Sequence, residues 1–212
     1  MPNLPISGLP SASSLDGSEL FATVQGGVTK YTTLDNIIYA QGNTYGLFAQ
    51  RANSIPVTAT TTETSIVGTG IGTLSVPANG FQIGDSFRAD FGGLMSAKNN
   101  DTIRIKIKAG SVILADSGTQ TMQTSVNDVW QLSINFTIRT LGGAGVASIV
   151  SLGVFHTTKQ SNNSQTGFAF NTVNNTTFDT TVNNTLDVTA QFSSNSSDNS
   201  IYSDIFVLNK IY

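Results

Sequence analysis

The stretch that decides the fold is WQLSINFTIR, residues 130–139, in which apolar and polar side chains alternate without a break. Successive residues of a β-strand point to opposite sides of the sheet, so one face of this strand would be wholly apolar. The apolar face would carry Trp130, Leu132, Ile134, Phe136 and Ile138. An alternating strand of this kind predicts an antiparallel sheet with one face in the core and the other facing outward.

The same alternation recurs in the segments before and after this stretch. Residues 102–108 place three isoleucines on one face and three cations on the other, and shorter apolar stripes run through Phe87–Phe91 and Leu186–Phe192. Further strands are predicted at Glu63–Val67, Gly70–Val76, Ser111–Ala115, Ala147–His156, Phe168–Val173 and Ser200–Ile211. Many short strands separated by Gly, Asn and Asp turns predict an all-β antiparallel jelly-roll sandwich over residues 56–212.

The last predicted strand differs from the others because it is apolar on both faces. Ile205 and Val207 would point to one side, and Phe206 and Leu208 to the other. Burial on both sides has two explanations, an interface between subunits or a central strand of the sandwich covered by a loop. The first makes these four residues candidates for an interface between subunits.

Residues 1–50 have a different character. Three prolines within the first ten residues favour an extended path. Two β-prone runs, Leu20–Gln25 and Val28–Thr32, flank Gly26-Gly27 and predict a hairpin, and Thr33 could cap a short helix. A segment this small cannot form a core of its own, so it is either disordered or lies against something else, and its apolar residues favour docking onto a partner. The candidate anchoring residues are Leu9, Leu20, Phe21, Ile37, Ile38 and Tyr39.

The composition argues against several classes of partner. Charged residues make up 11% of the 212 residues, the net charge is −3, and there is no basic run, so nucleic-acid binding is not expected. No apolar run is long enough for membrane insertion. The chain has no cysteine, which excludes disulfides and thiolate metal sites. The N-terminus lacks the pattern of a signal peptide, so we expect assembly in the cytoplasm.

No motif predicts catalysis, a cofactor or a metal. His156 is the single histidine, and no G-x-S-x-G elbow accompanies it. Residues 68–72 read GTGIG but lack the spacing and lysine of a phosphate loop. Asn99–Asp101 and Asp198-Asn199 offer oxygen ligands for Ca²⁺ without the D-x-D-x-D spacing. A pair of carboxylates facing each other across strands stays open, but we expect no enzyme.

A polar segment, Lys159–Thr166, predicts an exposed loop. Its neighbours Phe168, Phe170 and Phe178 would form either an aromatic surface for a sugar or protein receptor or part of the core. The candidate receptor residues are Lys159, Gln160, Asn162, Asn163 and Phe168.

Two groups of segments resemble known viral proteins. Ile6–Pro10, Leu15–Leu20 and Val24–Lys30 resemble the opening of many bacteriophage and other virion fibre proteins. The remaining matching segments resemble a jelly roll of the tumour-necrosis-factor type: Glu63–Asn79, Phe81–Phe87, Thr102–Lys108, Asp179–Val188 and Ile205–Lys210. The resemblance implies a homotrimer whose N-terminal segment docks on a capsid, portal, neck or tail protein while the jelly roll projects outward.

We therefore expect a virion structural protein on the particle surface, a head-fibre, tail-fibre or spike component. A role in host attachment through a surface glycan or protein is open. One alternative is a capsid decoration protein without a receptor role. Loss of such a protein would reduce particle integrity but leave the infectivity of each intact particle unchanged. Another is a lectin-like or glycan-degrading domain, because a fold does not determine function.

Overall fold

The computed structural model describes residues 19–33, 47–158 and 162–212, and the chain divides into two compact units, Met1–Thr44 and Tyr45–Tyr212. The described part of the first unit is a hairpin of β1 (Leu20–Gln25) and β2 (Val28–Thr33), paired antiparallel. Gly26 and Gly27 form the turn with φ values of 61° and 74°, which favour glycine in two-residue hairpins. The predicted hairpin is confirmed, and the short helix predicted after Thr33 lies outside the described residues.

The second unit contains the remaining described strands. They are β3 (Leu47–Gln50), β4 (Val57–Thr58), β5 (Thr64–Ser65), β6 (Gly70–Thr73), β7 (Ser75–Val76), β8 (Ser86–Ala97), β9 (Thr102–Ala109), β10 (Val112–Asp116), β11 (Gln120–Thr121), β12 (Ser125–Thr140), β13 (Ser148–Thr158), β14 (Gln165–Asn174), β15 (Asn184–Phe192) and β16 (Ser200–Lys210). None of the residues in the three described ranges forms a helix, and so none forms a helix that could span a membrane.

These strands form two antiparallel sheets. The larger sheet has the order β14-β13-β12-β8-β16-β3-β6, with β4 added beside β16. The smaller sheet has the order β10-β9-β15-β5, with β11 beside β9 and β7 beside β15. Ser151 on β13 donates a hydrogen bond of 2.7 Å to the carbonyl of Leu114 on β10, which joins the two sheets near one edge.

A single apolar core lies between the sheets, so the unit is a β-sandwich. The five apolar residues of the stretch 130–139 are all buried, as are the three isoleucines of β9 and the stripe on β15. Leu208 of the larger sheet and Leu186 of the smaller one line the same small interior cavity. The predicted all-β antiparallel class and the predicted parity of these strands are confirmed.

The sandwich begins earlier in the chain than the predicted boundary. β3 pairs with β16 through Phe48 and Leu208, and the Phe48 ring packs 5.2 Å from the ring of Phe206. Leu47–Gln50 therefore lies in the larger sheet, although the sequence placed it in the N-terminal segment. The reason is that a four-residue strand with one inward aromatic carries no detectable period.

The sandwich has two distinct ends. The chain enters at Leu47 and leaves after Lys210 at the same end, which we call the entry end; there the amide of Ser86 donates to the carbonyl of Tyr212. Loops 98–101, 117–124 and 193–199 lie at the opposite end, which we call the loop end. Hydrogen bonds link these loops, because the Asp101 carboxylate accepts from Ser194 and Asn199, and the Met122 amide donates to the Asp101 carbonyl.

Candidate interaction surface

The outer face of the larger sheet combines exposed apolar side chains with small polar ones. Leu152 and Val154 on β13 are 56% and 43% exposed, and Ile205 on β16 is 55% exposed. Register brings them into neighbouring rows, since Val154 pairs with Ser133, and Ile205 pairs with Gly92. Hydroxyl and amide groups from β12 fill the space between them, so the face is broad and weakly polar.

The charged groups at the centre of this face neutralise each other. The Arg88 guanidinium lies 2.8 Å from the Asp90 carboxylate, which also accepts a 2.7 Å hydrogen bond from Ser133. Beside this pair, a hollow of about 360 Å³ is lined by His156, Gln131 and Val207, among other residues. Arg139 is exposed near the end of β12, and Asp204 is exposed at the bulge of β16.

The outer face of the smaller sheet is chemically different. Glu63 accepts from both Lys106 and Lys108 on β9, with the Lys108 contact at 3.0 Å, and Thr189 donates to the same carboxylate. Arg104 forms an ion pair with Asp116 on the neighbouring strand. The hydrogen bond from Lys106 is the largest cause that lowers the pKa of Glu63 from its ordinary value of 4.5 to about 2. A surface that carries such a network of ion pairs is well solvated when it faces water.

The two outer faces therefore differ in what they are suited to contact. A salt-bridged face is expensive to dehydrate, because every ion pair would lose its solvation. The outer face of the larger sheet carries the Arg88–Asp90 pair among mostly aliphatic, hydroxyl and amide side chains, so covering it would dehydrate fewer charges. The outer face of the larger sheet, defined by the outward residues of β8, β12, β13 and β16, is the candidate interaction surface of the sandwich.

The four predicted interface residues on the C-terminal strand separate into two pairs. Ile205 and Val207 lie on the candidate surface. Phe206 and Leu208 are buried in the core, where the Phe206 ring stacks on Phe91 with centroids 3.6 Å apart. Their assignment to a trimer interface is therefore wrong, because the facing sheet already covers them.

The hairpin of the first unit exposes apolar groups on both faces. Leu20, Val24 and Tyr31 lie on one face, and all three are more than half exposed. Phe21 lies on the other face and is 41% exposed. The remaining predicted anchoring residues, Leu9, Ile37, Ile38 and Tyr39, lie outside the described ranges.

The predicted receptor loop lies at the loop end. Asn162 and Asn163 are exposed, and the side chain of Asn162 accepts from the amide of Ser164. Lys159 and Gln160 lie outside the described residues. Phe168 is half-buried and stacks on Phe155 with ring centroids 5.2 Å apart.

The other two aromatic residues near this loop belong to the sandwich interior. Phe178 is fully buried in the core, and Phe170 packs against the core from β14. The alternative that these rings are core residues therefore holds for Phe178. It holds in part for Phe170, which keeps some exposure.

The residues weighed for catalysis or metal binding have structural surroundings. His156 lies near the end of β13 and faces Gln131 on the candidate surface. Asp101 and Asn199 are close together, but their oxygens accept hydrogen bonds from Ser194 and the Lys98 amide. No group of three or more His, Cys, Asp or Glu side chains suited to a metal occurs within the described ranges.

Comparisons with protein-family models, curated proteins and solved structures find no match for this chain.

Sequence reasoning did not identify the contrast between the two outer faces. The signal was present, since residues 102–108 carry three cations while the polar face of residues 130–138 carries only hydroxyl and amide groups. The sequence does not show which strands pair. The pairing places Glu63 beside the lysines of β9, and it places Leu152 and Val154 beside β12.

Proposed function

We propose that this chain is a structural protein of a virus particle, in which the sandwich is a trimerising jelly roll and residues before it attach to the particle. The observation that carries the proposal is the nearly uncharged, partly aliphatic outer face of the larger sheet. In a trimer, such a face would pack against a different surface of the next copy, because interfaces around a three-fold axis are heterologous.

The strand order supports a jelly roll of the tumour-necrosis-factor type. A jelly roll contains eight strands in two sheets of four. Such a set is formed by the strand orders β12-β8-β16-β3 in one sheet and β10-β9-β15-β5 in the other. The chain passes between the two sheets from β8 to β9 and from β15 to β16. The hairpin of β13 and β14 extends the first sheet beyond β12 and enlarges its outer face.

The N-terminal hairpin supports attachment to a particle. An isolated two-stranded hairpin is at best marginally stable in water. Its exposed Leu20, Val24 and Tyr31 would gain buried area from a capsid, portal, neck or tail protein. The entry end of the sandwich, where the chain arrives from this segment, lies opposite the loop end. A particle-bound trimer would thus present its loop end outward, which suits a fibre or spike in host attachment.

Sedimentation equilibrium of the full chain tests the trimer. We expect a mass three times 22.3 kDa at micromolar concentration. Val154→Lys should dissociate the trimer, because it places an unpaired cation on the covered face. Ile113→Lys is the matched control: it has a similar exposure of 40% but lies on β10 of the smaller sheet, and it should leave the mass unchanged. A monomeric parent protein, or equal masses for parent and Val154→Lys, would contradict the proposal.

A further inference from the structure

The loop end contains a cleft of about 200 Å³ between the β11–β12 segment and the hairpin of β13 and β14. Its floor is apolar and includes the buried side chains of Met95, Met122 and Phe155. Its rim carries amide and hydroxyl groups, among them Gln120, Thr121 and Ser164. The volume lies below the range of drug-sized pockets, so the cleft has room for a small ligand or for one unit of a longer one.

An aromatic ladder ends at this cleft. The Trp130 ring stacks on Phe155 with centroids 5.8 Å apart, and Phe155 stacks on Phe168 at 5.2 Å, with interplanar angles of 22° and 17°. Phe168 belongs to β14, the edge strand of the larger sheet, and no strand of the described residues pairs beyond it. The ladder fixes the Phe168 ring while leaving it partly exposed in the wall of the cleft.

The polar groups of the cleft favour a ligand with many hydroxyls. The amide and hydroxyl side chains on the rim can both donate to and accept from neighbouring hydroxyl groups. Ser125 also lines the cleft, and none of the described residues supplies a hydrogen-bond partner for its buried hydroxyl. A ligand hydroxyl that reached this group would supply the missing partner.

The charge of the lining selects among hydroxyl-rich ligands. Of the described residues that line the cleft, Asp128 is the charged one, and none is Lys or Arg. A sialic acid or a phosphorylated sugar would bring a negative charge next to this carboxylate, and none of the described lining residues is a cation that could pair with it. A neutral sugar instead offers an apolar C–H face for an aromatic ring and hydroxyls for the rim.

We propose that this cleft is a binding site for a neutral sugar unit, stacked on Phe168 and hydrogen-bonded by the amide and hydroxyl groups of the rim. The proposal rests on the proposed function, since it names the chemistry of the receptor that the loop end would meet on a host surface. Affinity for one sugar unit would be weak, with a Kd on the order of 1 mM, and a trimer would gain avidity by presenting three clefts.

The test is saturation-transfer NMR of the full chain with the methyl glycosides of glucose, galactose, mannose and N-acetylglucosamine, and with methyl sialoside as the anionic probe. We expect saturation transfer to at least one neutral glycoside and none to the sialoside. Phe168→Leu, which removes the stacking ring but keeps an apolar side chain, should weaken binding at least tenfold. Thr166→Val, which removes one rim hydroxyl, should weaken it severalfold.

Phe170→Leu is the matched control. Phe170 lies two residues further along the same strand, packs against the core and does not line the cleft. It should bind the glycoside like the parent protein, and thermal melting should show all three variants folded. No saturation transfer to any neutral glycoside, preferential transfer to the sialoside, or equal binding by Phe168→Leu would overturn the inference. Sedimentation of the same samples separates the two proposals, because a trimer that binds no sugar refutes this site alone.

Discussion

At the residue scale, Trp130 shows how one side chain can hold several strands together. Its ring is fully buried and stacks on Phe155, and its indole N–H donates a 3.1 Å hydrogen bond to the Tyr202 carbonyl on β16. Three strands of the larger sheet therefore meet at one residue. The sequence predicted the burial from alternation, but the hydrogen bond depends on strand order and could not be predicted.

Replacing this ring tests its contribution to folding. Trp130→Ala should lower the free energy of unfolding by about 3–5 kcal/mol, because it opens a cavity and leaves the Tyr202 carbonyl without its donor. Urea unfolding measures the change. Val129→Ala, an exposed position on the opposite face of the same strand, should stay within about 0.5 kcal/mol of the parent protein. An unchanged stability in Trp130→Ala would contradict the burial.

Glu63 gives the protein a pH dependence of defined sign. Because the lysine partners lower its pKa from 4.5 to about 2, folding favours the ionised form. The resulting stability is fully present above about pH 4.5 and is lost as the pH falls toward 2. Glu63→Gln should therefore be less stable than the parent at pH 7, on the order of 1 kcal/mol because the site is partly solvated, and the difference should vanish near pH 2.

Urea unfolding of both proteins across this pH range provides the measurement. Other carboxylates titrate in the same window, including Asp116, whose pKa is lowered mainly by its hydrogen bond from Arg104. They are common to both proteins, so they cancel in the difference. A difference that stays constant from pH 7 to pH 2 would show that the carboxylate charge makes no contribution.

At the element scale, long alternating strands were predictable and short ones were not. β9, β12 and β15 each contain at least four repeats of the two-residue alternation, so their buried faces could be assigned from sequence. β3, β4 and β11 have two to four residues and are fixed by pairing with distant strands. The candidate surface and the cleft both depend on such pairings, which explains why neither was assigned from the sequence.

The C-terminal strand shows how local pattern can mislead. A run of four apolar residues predicted two covered faces, and the structure covers one of them with the smaller sheet. The register shift between Ser203 and Ile205 places Ile205 opposite Gly92, where the absence of a side chain gives it room on the outer face. Two of the four residues therefore remain available to a second copy.

At the scale of the whole molecule, the division into two units makes a prediction about truncation. Deleting residues 1–45 removes the first unit and leaves every described strand of the sandwich. The product should melt cooperatively as a β-domain but fail to enter virions, because the residues proposed to attach to the particle are gone. Circular dichroism and particle incorporation are the two measurements.

A longer deletion serves as the comparison. Removing residues 1–55 also removes β3 and the Phe48 ring that covers Phe206, so this product should be less stable by a few kcal/mol. Equal stability of the two products would mean that β3 contributes nothing to the core. Normal incorporation of the shorter deletion would instead refute the proposed anchoring role of the first unit.

The sandwich begins and ends at its entry end, and this has a consequence for covalent connectivity. Phe48, the second residue of β3, pairs with Leu208, close to the C-terminus. The first and last residues of the sandwich therefore lie at the same end. A short linker could join Tyr212 to Leu47 without altering any strand pairing. New termini could then be opened in the surface turn at residues 117–119, yielding a circular permutant with the same core. Strand pairing, rather than the order in which the chain is synthesised, would be sufficient to define this fold.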